Sequence, residues 1–281
     1  MIGICVDSNS QMPASLAARF GIEVVALTVT IDGIDHLEGV DITDSEFYAA
    51  WEDGRTPTIS TSQPSPGRFG VAYQQLADRG ATEILSIHVA EAMSGTFNSA
   101  RLAARTAPVP VTLVDSGTAS FGITCCAWAA ADAIALGASI DEAAEIASAR
   151  SNKLGAAFIV GVPQLTERSG RATAAGVEAA AEHGIPVLSM SGSDIVVLDT
   201  VTTVDATVSA MVDYALGWTP SGSDGLRIAV GTSDSTSAGV SRALTVALAG
   251  NDALAEAVVQ YTIGPSVGAH TGPGTAGLFV F

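Results

Sequence analysis

The sequence predicts an α/β fold of two domains. The N-terminal domain, residues 1–152, is expected to hold a mostly parallel sheet with flanking helices, and the C-terminal domain, residues 153–281, a mixed sheet with helices. Three observations lead there. Short Val- and Ile-rich runs alternate with helical stretches through the first half, and such alternation favours parallel strands joined by crossover helices. Several apolar runs end in small polar residues, as strands do at an open sheet edge. The second half keeps the same kinds of element in a less regular order. A chain of 281 residues is long enough for two cores, and the cut is placed near Asn152.

The elements follow in order. IGICV (2–6) reads as a buried strand ending at Asp7-Ser8, with a short helix from Pro13 to Phe20 after it. IEVVALTVTI (22–31) reads as extended from its β-branched residues, and DHLEGVD as a polar loop. TDSE at 43–46 is a capping box opening the helix SEFYAAW. STSQPSP (60–66) reads as a loop from its Ser and Pro content. A helix from about Gly67 to Asp78, a strand EILSIHV (83–89), a turn at Ser94-Gly95-Thr96 with a helix behind it, and a strand VTLVDS (111–116) come next. An Ala-rich helix over 120–136 stops at Gly137, and SIDE (139–142) caps another. In the second half GAAFIVG, IPVLSM, IVVL, LRIAVG, AVVQYTIG and AGLFVF read as strands. Helices are expected near 204–217 and 234–249, with a surface turn at 221–224.

Composition narrows the function. The formal net charge is −17, which repels phosphate backbones and anionic lipid surfaces, so nucleic-acid binding is not expected. Aromatics are only 5% and form no evident platform for stacking bases. Three cysteines, two of them adjacent in an apolar run, suggest no disulfide framework and a reducing compartment. MIGICVDSNS has no basic-then-apolar leader pattern. The most apolar stretch, Ile123 to Ala138, carries Asp132 and is too short to span a bilayer. A cytoplasmic chain without stable membrane insertion is expected.

The candidate functional residues lie in polar loops: Thr61-Ser62-Gln63-Pro64-Ser65, Ser94-Gly95-Thr96 and Asp115-Ser116. Ser94-Gly95-Thr96 opens a helix, where free N–H groups and the helix dipole hold an anion; an ordinary N-cap is the other reading. His270 and Thr271 sit among Gly and Pro, where neither helix nor ladder is expected and the backbone can approach a ligand closely; an exposed loop histidine is the alternative. GPGTAG (272–277) has dinucleotide-type glycine spacing but ends four residues before Phe281, with no acidic strand after it, and no Walker lysine follows any Gly-rich loop. Arg168 and Arg171 stand out because only 12 basic residues exist, and either can pair with a carboxylate. Asp32, Asp35, His36, Glu38 and Asp41 fit no metal spacing and read as a solvated loop. His88 and His183 have no obvious partners. A hydrolase triad of Ser94, His270 and Asp7 or Asp115 stays open, although Ala92 stands where a nucleophile elbow needs Gly.

Six of these segments occur in one order: Asp7-Ser8, TSQPS (61–65), SGTFNSA (94–100), VDS (114–116), LTERSGR (165–171) and HTGPGTAGL (270–278). On them the chain resembles the DegV family over almost its full length. The resemblance implies a two-domain α/β protein with a long-chain fatty acid lying between and within the domains. It implies no cofactor and no chemistry by this chain alone. Some family members act as the lipid-presenting subunit of a bacterial fatty acid kinase, in which a separate ATP-dependent subunit makes the acyl phosphate. By motif position Thr61, Ser62, Ser94 and His270 would contact the carboxylate. Gly95 and Thr96 would supply helix-start donors, Thr271 would flank His270, and Arg171 would occupy the family's Gly-Gly-Arg position as Ser169-Gly170-Arg171. Two departures stand out: Pro186-Val187-Leu188 lacks the preceding Lys, and Thr202-Thr203 lacks the Arg of the family's Arg-Thr pair. Three readings remain: a fatty-acid-presenting protein, an acyl-ester hydrolase, and an adaptor with a decayed lipid site. Each buried CH2 contributes roughly 0.8 kcal/mol, so a long tail supplies on the order of 10 kcal/mol before association costs. Its carboxylate then needs donors.

Overall fold

The computed structural model of the protein describes residues 1–168, 176–191, 194–218, 225–250, 254 and 257–281. The chain divides into two compact units, Met1–Ile42 with Thr58–Asn152, and Thr43–Pro57 with Lys153–Phe281.

The first unit is built on four parallel strands: Ile2–Asp7 (β1), Glu23–Val25 (β2), Glu83–His88 (β6) and Val111–Asp115 (β7), in the order β2-β1-β6-β7. β1 and β6 are buried almost throughout, as parallel strands covered by helices are. Helices Pro66–Asp78 and Thr96–Ala104 pack as one pair, burying Phe69, Ala72, Leu76 and Ala100 with Cys5 and Ile84. Helices Phe121–Ala135 and Ile140–Arg150 form a second pair. Every residue from Phe121 to Ala131 is buried, which accounts for the apolar run.

A small second sheet in this unit differs from expectation. The extended run 22–31 is two strands in two sheets: β2 joins the parallel sheet, while Thr28–Ile31 (β3) pairs antiparallel with Ile34–Leu37 (β4) and Ile59–Ser62 (β5). Residues 35–37, the start of the stretch expected to be a polar loop, are therefore strand in the β3–β4 hairpin. Its turn is Asp32-Gly33, with φ of 49° and 84°, the doubly left-handed geometry a two-residue hairpin requires. Likewise Thr61 and Ser62 stand on a strand, paired with Val29 and Thr28. Backbone pairing outweighs their turn-forming composition.

The second unit carries a six-stranded mixed sheet of Gly155–Ile159 (β8), Ile185–Ser191 (β9), Asp194–Val201 (β10), Ile228–Thr232 (β11), Val259–Thr262 (β12) and Ala276–Val280 (β13), in the order β10-β9-β8-β13-β11-β12. Only β11 and β12 run parallel within it. Met211, Leu244 and Leu248 from helices Val204–Leu216 and Ala238–Leu248 bury against Val187, Val230 and Leu278. Segment Thr43–Pro57, expected in the N-terminal domain, groups here for an aromatic reason. Phe47 meets Tyr48 and Trp51 edge-on, and the Tyr48 hydroxyl donates to the Ile263 carbonyl at 2.7 Å. Gly268 faces the same rings: a Cβ there would meet Tyr48 Oη at 2.4 Å.

Among the described residues no helix is long and apolar enough to cross a membrane, and Cys5, Cys125 and Cys126 are buried and form no disulfide. The turn expected at 221–224 lies outside the described residues. Thr203, at the expected Arg-Thr position, caps helix Val204–Leu216, its Oγ1 accepting from Ala206 N at 3.1 Å. Replacing a Thr cap with Ala costs about 1 kcal/mol, so Thr203→Ala should lower the unfolding free energy by that amount, seen as a lower denaturant midpoint at unchanged slope. An unchanged midpoint would show that the cap contributes nothing.

Candidate functional site

In the first unit the polar residues gather at the carboxyl ends of the parallel strands, the edge where open α/β sheets hold ligands. After β6 the chain turns tightly: Met93 N and Ser94 N donate to the Ala90 carbonyl at 2.8 and 3.1 Å, and Ala90 N donates to Thr118 O at 2.9 Å. Helix Thr96–Ala104 starts directly behind the turn. Ser94 Oγ lies 2.9 Å from Thr96 Oγ1 and accepts from Thr96 N at 3.3 Å. The Ser94 hydroxyl thus makes a local turn bond just ahead of the helix, whose N-cap is Gly95, and remains half-buried beside a second hydroxyl. Gly95 brings the other loop in: a Cβ there would meet the Gln63 side-chain amide at 2.7 Å. Gln63 follows Thr61 and Ser62 at the end of β5, so the two segments form one cluster. Ser62 is exposed and Thr61 half-buried. Ser65 caps helix Pro66–Asp78.

The carboxylates nearby are committed elsewhere. Asp115 accepts from Glu91 N and Gly117 N. Asp7, with 0% exposure, accepts from Asn9 N and Val89 N at 3.0 Å each and faces His88 Nδ1 at 3.1 Å. His88, for which no partner was evident, is therefore paired, and its Nε2 lies 2.6 Å from Ser86 Oγ. The signal was the alternation of Ser86 with His88 and of Cys5 with Asp7, polar positions on one face of two apolar strands. The acidic run is not wholly solvated either. Glu38 is buried and receives the hydroxyl of Ser8 and the amide of Gln11. Among the described residues no His, Cys, Asp and Glu group can hold a metal ion.

In the second unit His270 and Thr271 close a short helix, Pro265–Thr271. A loop was expected there; Pro265 at the first helical position, where its missing N–H costs nothing, starts the helix. The helix end is anchored through its backbone: Thr166 Oγ1 donates to His270 O at 2.9 Å, and Val162 N to Thr271 O at 3.0 Å. His270 is half-buried. Gly272 and Gly274, with φ of 76° and 83°, turn the chain into β13. This loop precedes a strand and opens no helix, contrary to the dinucleotide pattern. Asp234, not singled out from sequence, holds it: Gly274 N donates to its carboxylate at 2.8 Å, and Ser233 and Thr236 hydroxyls add to it. Gly161 packs so closely that a Cβ would lie 1.5 Å from Pro273 O. His183 donates from Nδ1 to Ala179 O at 3.0 Å. Arg171, with Ser169 and Gly170, lies outside the described residues.

The family profile for the uncharacterised DegV proteins matches residues 1–281. The chain belongs to the DegV family. A DegV domain-containing protein of Streptomyces coelicolor is 33% identical over 283 residues, covering 99% of this chain and 98% of its own. Among solved structures, a DegV protein from Thermus thermophilus described for its fatty acid binding superposes with a TM-score of 0.85 at 27% identity, covering 100% of this chain and 99% of that one. A DegV lipid binding protein from Thermotoga maritima gives 0.83 at 25% identity, covering 99% and 97%.

Burial opposes the charge of Asp234, but hydrogen bonds from Gly274 N–H, Ser233 and Thr236 outweigh it and hold the carboxyl below the usual carboxylate range. A lowered folded pKa stabilises the fold above the unfolded value, and that contribution is lost as pH falls through the folded one. The stability gap between the natural chain and Asp234→Asn should therefore be widest near neutral pH and close below about pH 4. A gap that persists in acid would assign the loop's anchoring to something other than this charge. Gly161→Ala should destabilise by about 2 kcal/mol or more, since the backbone must move, seen as a lowered thermal midpoint.

Proposed function

We propose that this DegV protein binds a long-chain fatty acid in the cytoplasm and presents it to a separate ATP-dependent kinase subunit, which forms the acyl phosphate. It performs no chemistry alone. The observation carrying the ligand is the likeness, over the whole chain, to the Thermus DegV protein described for fatty acid binding. By the family resemblance the carboxylate would meet the Thr61, Ser62 and Ser94 hydroxyls, the Gly95-Thr96 helix start, and Arg171, His270 and Thr271. Hydroxyl and N–H donors around one anion are the chemistry a carboxylate needs on leaving water. The kinase partnership rests on the family resemblance. A triad built on Ser94 loses support, because Asp7 and Asp115 are occupied by other donors.

Native mass spectrometry of the purified protein, with lipid identification after denaturation, should find one fatty acid per chain. A clean apo protein that also refuses palmitate and oleate would sink the ligand reading and favour a protein-interaction adaptor. His270→Ala should weaken palmitate binding about tenfold, the equivalent of one charge-assisted hydrogen bond; unchanged affinity would remove His270 from the head-group site. A serine-directed fluorophosphonate should leave the folded protein unlabelled, and labelling at Ser94 would revive the hydrolase.

A further inference from the structure

Inside the first unit four side chains form one unbroken hydrogen-bonded chain. Tyr73 Oη lies 2.9 Å from Ser86 Oγ, Ser86 Oγ lies 2.6 Å from His88 Nε2, and His88 Nδ1 lies 3.1 Å from Asp7 Oδ2. All four residues have 0% exposure. The contacts run in the order of a hydrolytic triad, yet no substrate can reach Ser86.

The end of the chain fixes its direction. Among the described residues the Tyr73 hydroxyl faces only Ser86 Oγ, so its hydrogen goes there or stays unpartnered in the core. Burial pushes the Tyr73 hydroxyl up, with the Cys5 thiol beside it adding to the shift, so that hydrogen stays on. Ser86 then spends its own hydrogen on His88 Nε2. That nitrogen accepts, which leaves the single ring hydrogen on Nδ1, aimed at the Asp7 carboxylate. An imidazolium would leave the Ser86 hydrogen only the Cys5 sulfur, a weak acceptor, in place of the ring nitrogen. The other groups packed here are the Phe69 ring, edge-on to His88 at 4.9 Å, and the Cys5 thiol against Ser86, with Glu23 further along.

Both ends of this chain lead to the polar cluster. Asp7 also holds Val89 N, and Val89 leads into the Ala90–Ser94 turn. Tyr73 belongs to helix Pro66–Asp78, which follows Gln63, the residue resting on Gly95. We propose that His88 is a positioning residue for the ligand cluster: as the neutral Nδ1–H tautomer it relays hydrogen bonds from Tyr73 to Asp7 and so fixes the turn that carries Ser94, Gly95 and Thr96. Its effect on a fatty acid rests on the function proposed above; its tautomer and its hold on the turn do not.

Two substitutions separate positioning from mere packing. The amide of His88→Asn can replace the Nδ1–H toward Asp7, whereas that of His88→Gln reaches toward Ser86 and leaves Asp7 short of a donor. His88→Asn should keep palmitate affinity within about threefold, while His88→Gln weakens it about tenfold. Amide exchange over 89–96 should quicken in His88→Gln only, although both variants lose the ring's packing and melt earlier. Nitrogen-15 spectra of the natural protein at neutral pH should show the Nδ1–H imidazole. An Nε2–H or imidazolium pattern overturns the relay, as does affinity in the two variants that merely tracks their melting temperatures. Should the natural protein take up no palmitate, the fatty-acid reading falls, and the exchange and nitrogen signals decide the role of His88 alone.

Discussion

A carboxylate buried at the end of a central strand must be satisfied from several directions at once, and Asp7 organises the first unit by meeting that demand. Stranding a buried charge costs far more than a surface hydrogen bond returns. The chain therefore bends so that Asn9 N, Val89 N and His88 all face it. Those three donors come from the segment after β1 and from the end of β6. Their register, Val6 opposite Ile87, places Asp7 beside His88. Satisfying one charge thus ties two strand ends together at the sheet edge where the hydroxyl cluster lies.

The second unit solves a related problem with Asp234. Its carboxylate gathers the Gly274 N–H and two neighbouring hydroxyls and pins a loop that two left-handed glycines would otherwise leave free. The loop is pressed onto Gly161, and the helix bearing His270 is tied through carbonyls to Thr166 and Val162. In both units the polar side chains nearest the candidate ligand groups are fixed by hydrogen bonds that their neighbours make.

Local signals were legible wherever they were sufficient causes. The capping boxes at Thr43 and Ser139 are written within four residues, and both form. The buried strands and the Ala-rich helix follow from uninterrupted apolar runs. β4 and β5 were not legible because they belong to a small sheet with many half-exposed positions, where composition resembles a loop and only pairing makes a strand. Helix Pro265–Thr271 hid behind its glycines; packing beside Phe47 and Tyr48 selects it. The pairing of His88 with Asp7 spans 81 positions, beyond any local pattern. Ser94, Gly95 and Thr96 were evident as a helix start, but the Gln63 amide resting on Gly95 was not.

The allotment of Thr43–Pro57 to the second unit means that the chain passes between units three times, after Ile42, Pro57 and Asn152. No single cut yields two contiguous folding fragments. During synthesis the Phe47–Tyr48–Trp51 cluster leaves the ribosome more than two hundred residues before the Ile263 carbonyl and Gly268 that complete its burial. The nascent chain must carry these rings without that cover until residues 263–268 are made, so synthesis of this segment, rather than completion of the first sheet, sets the moment at which the cluster is packed away.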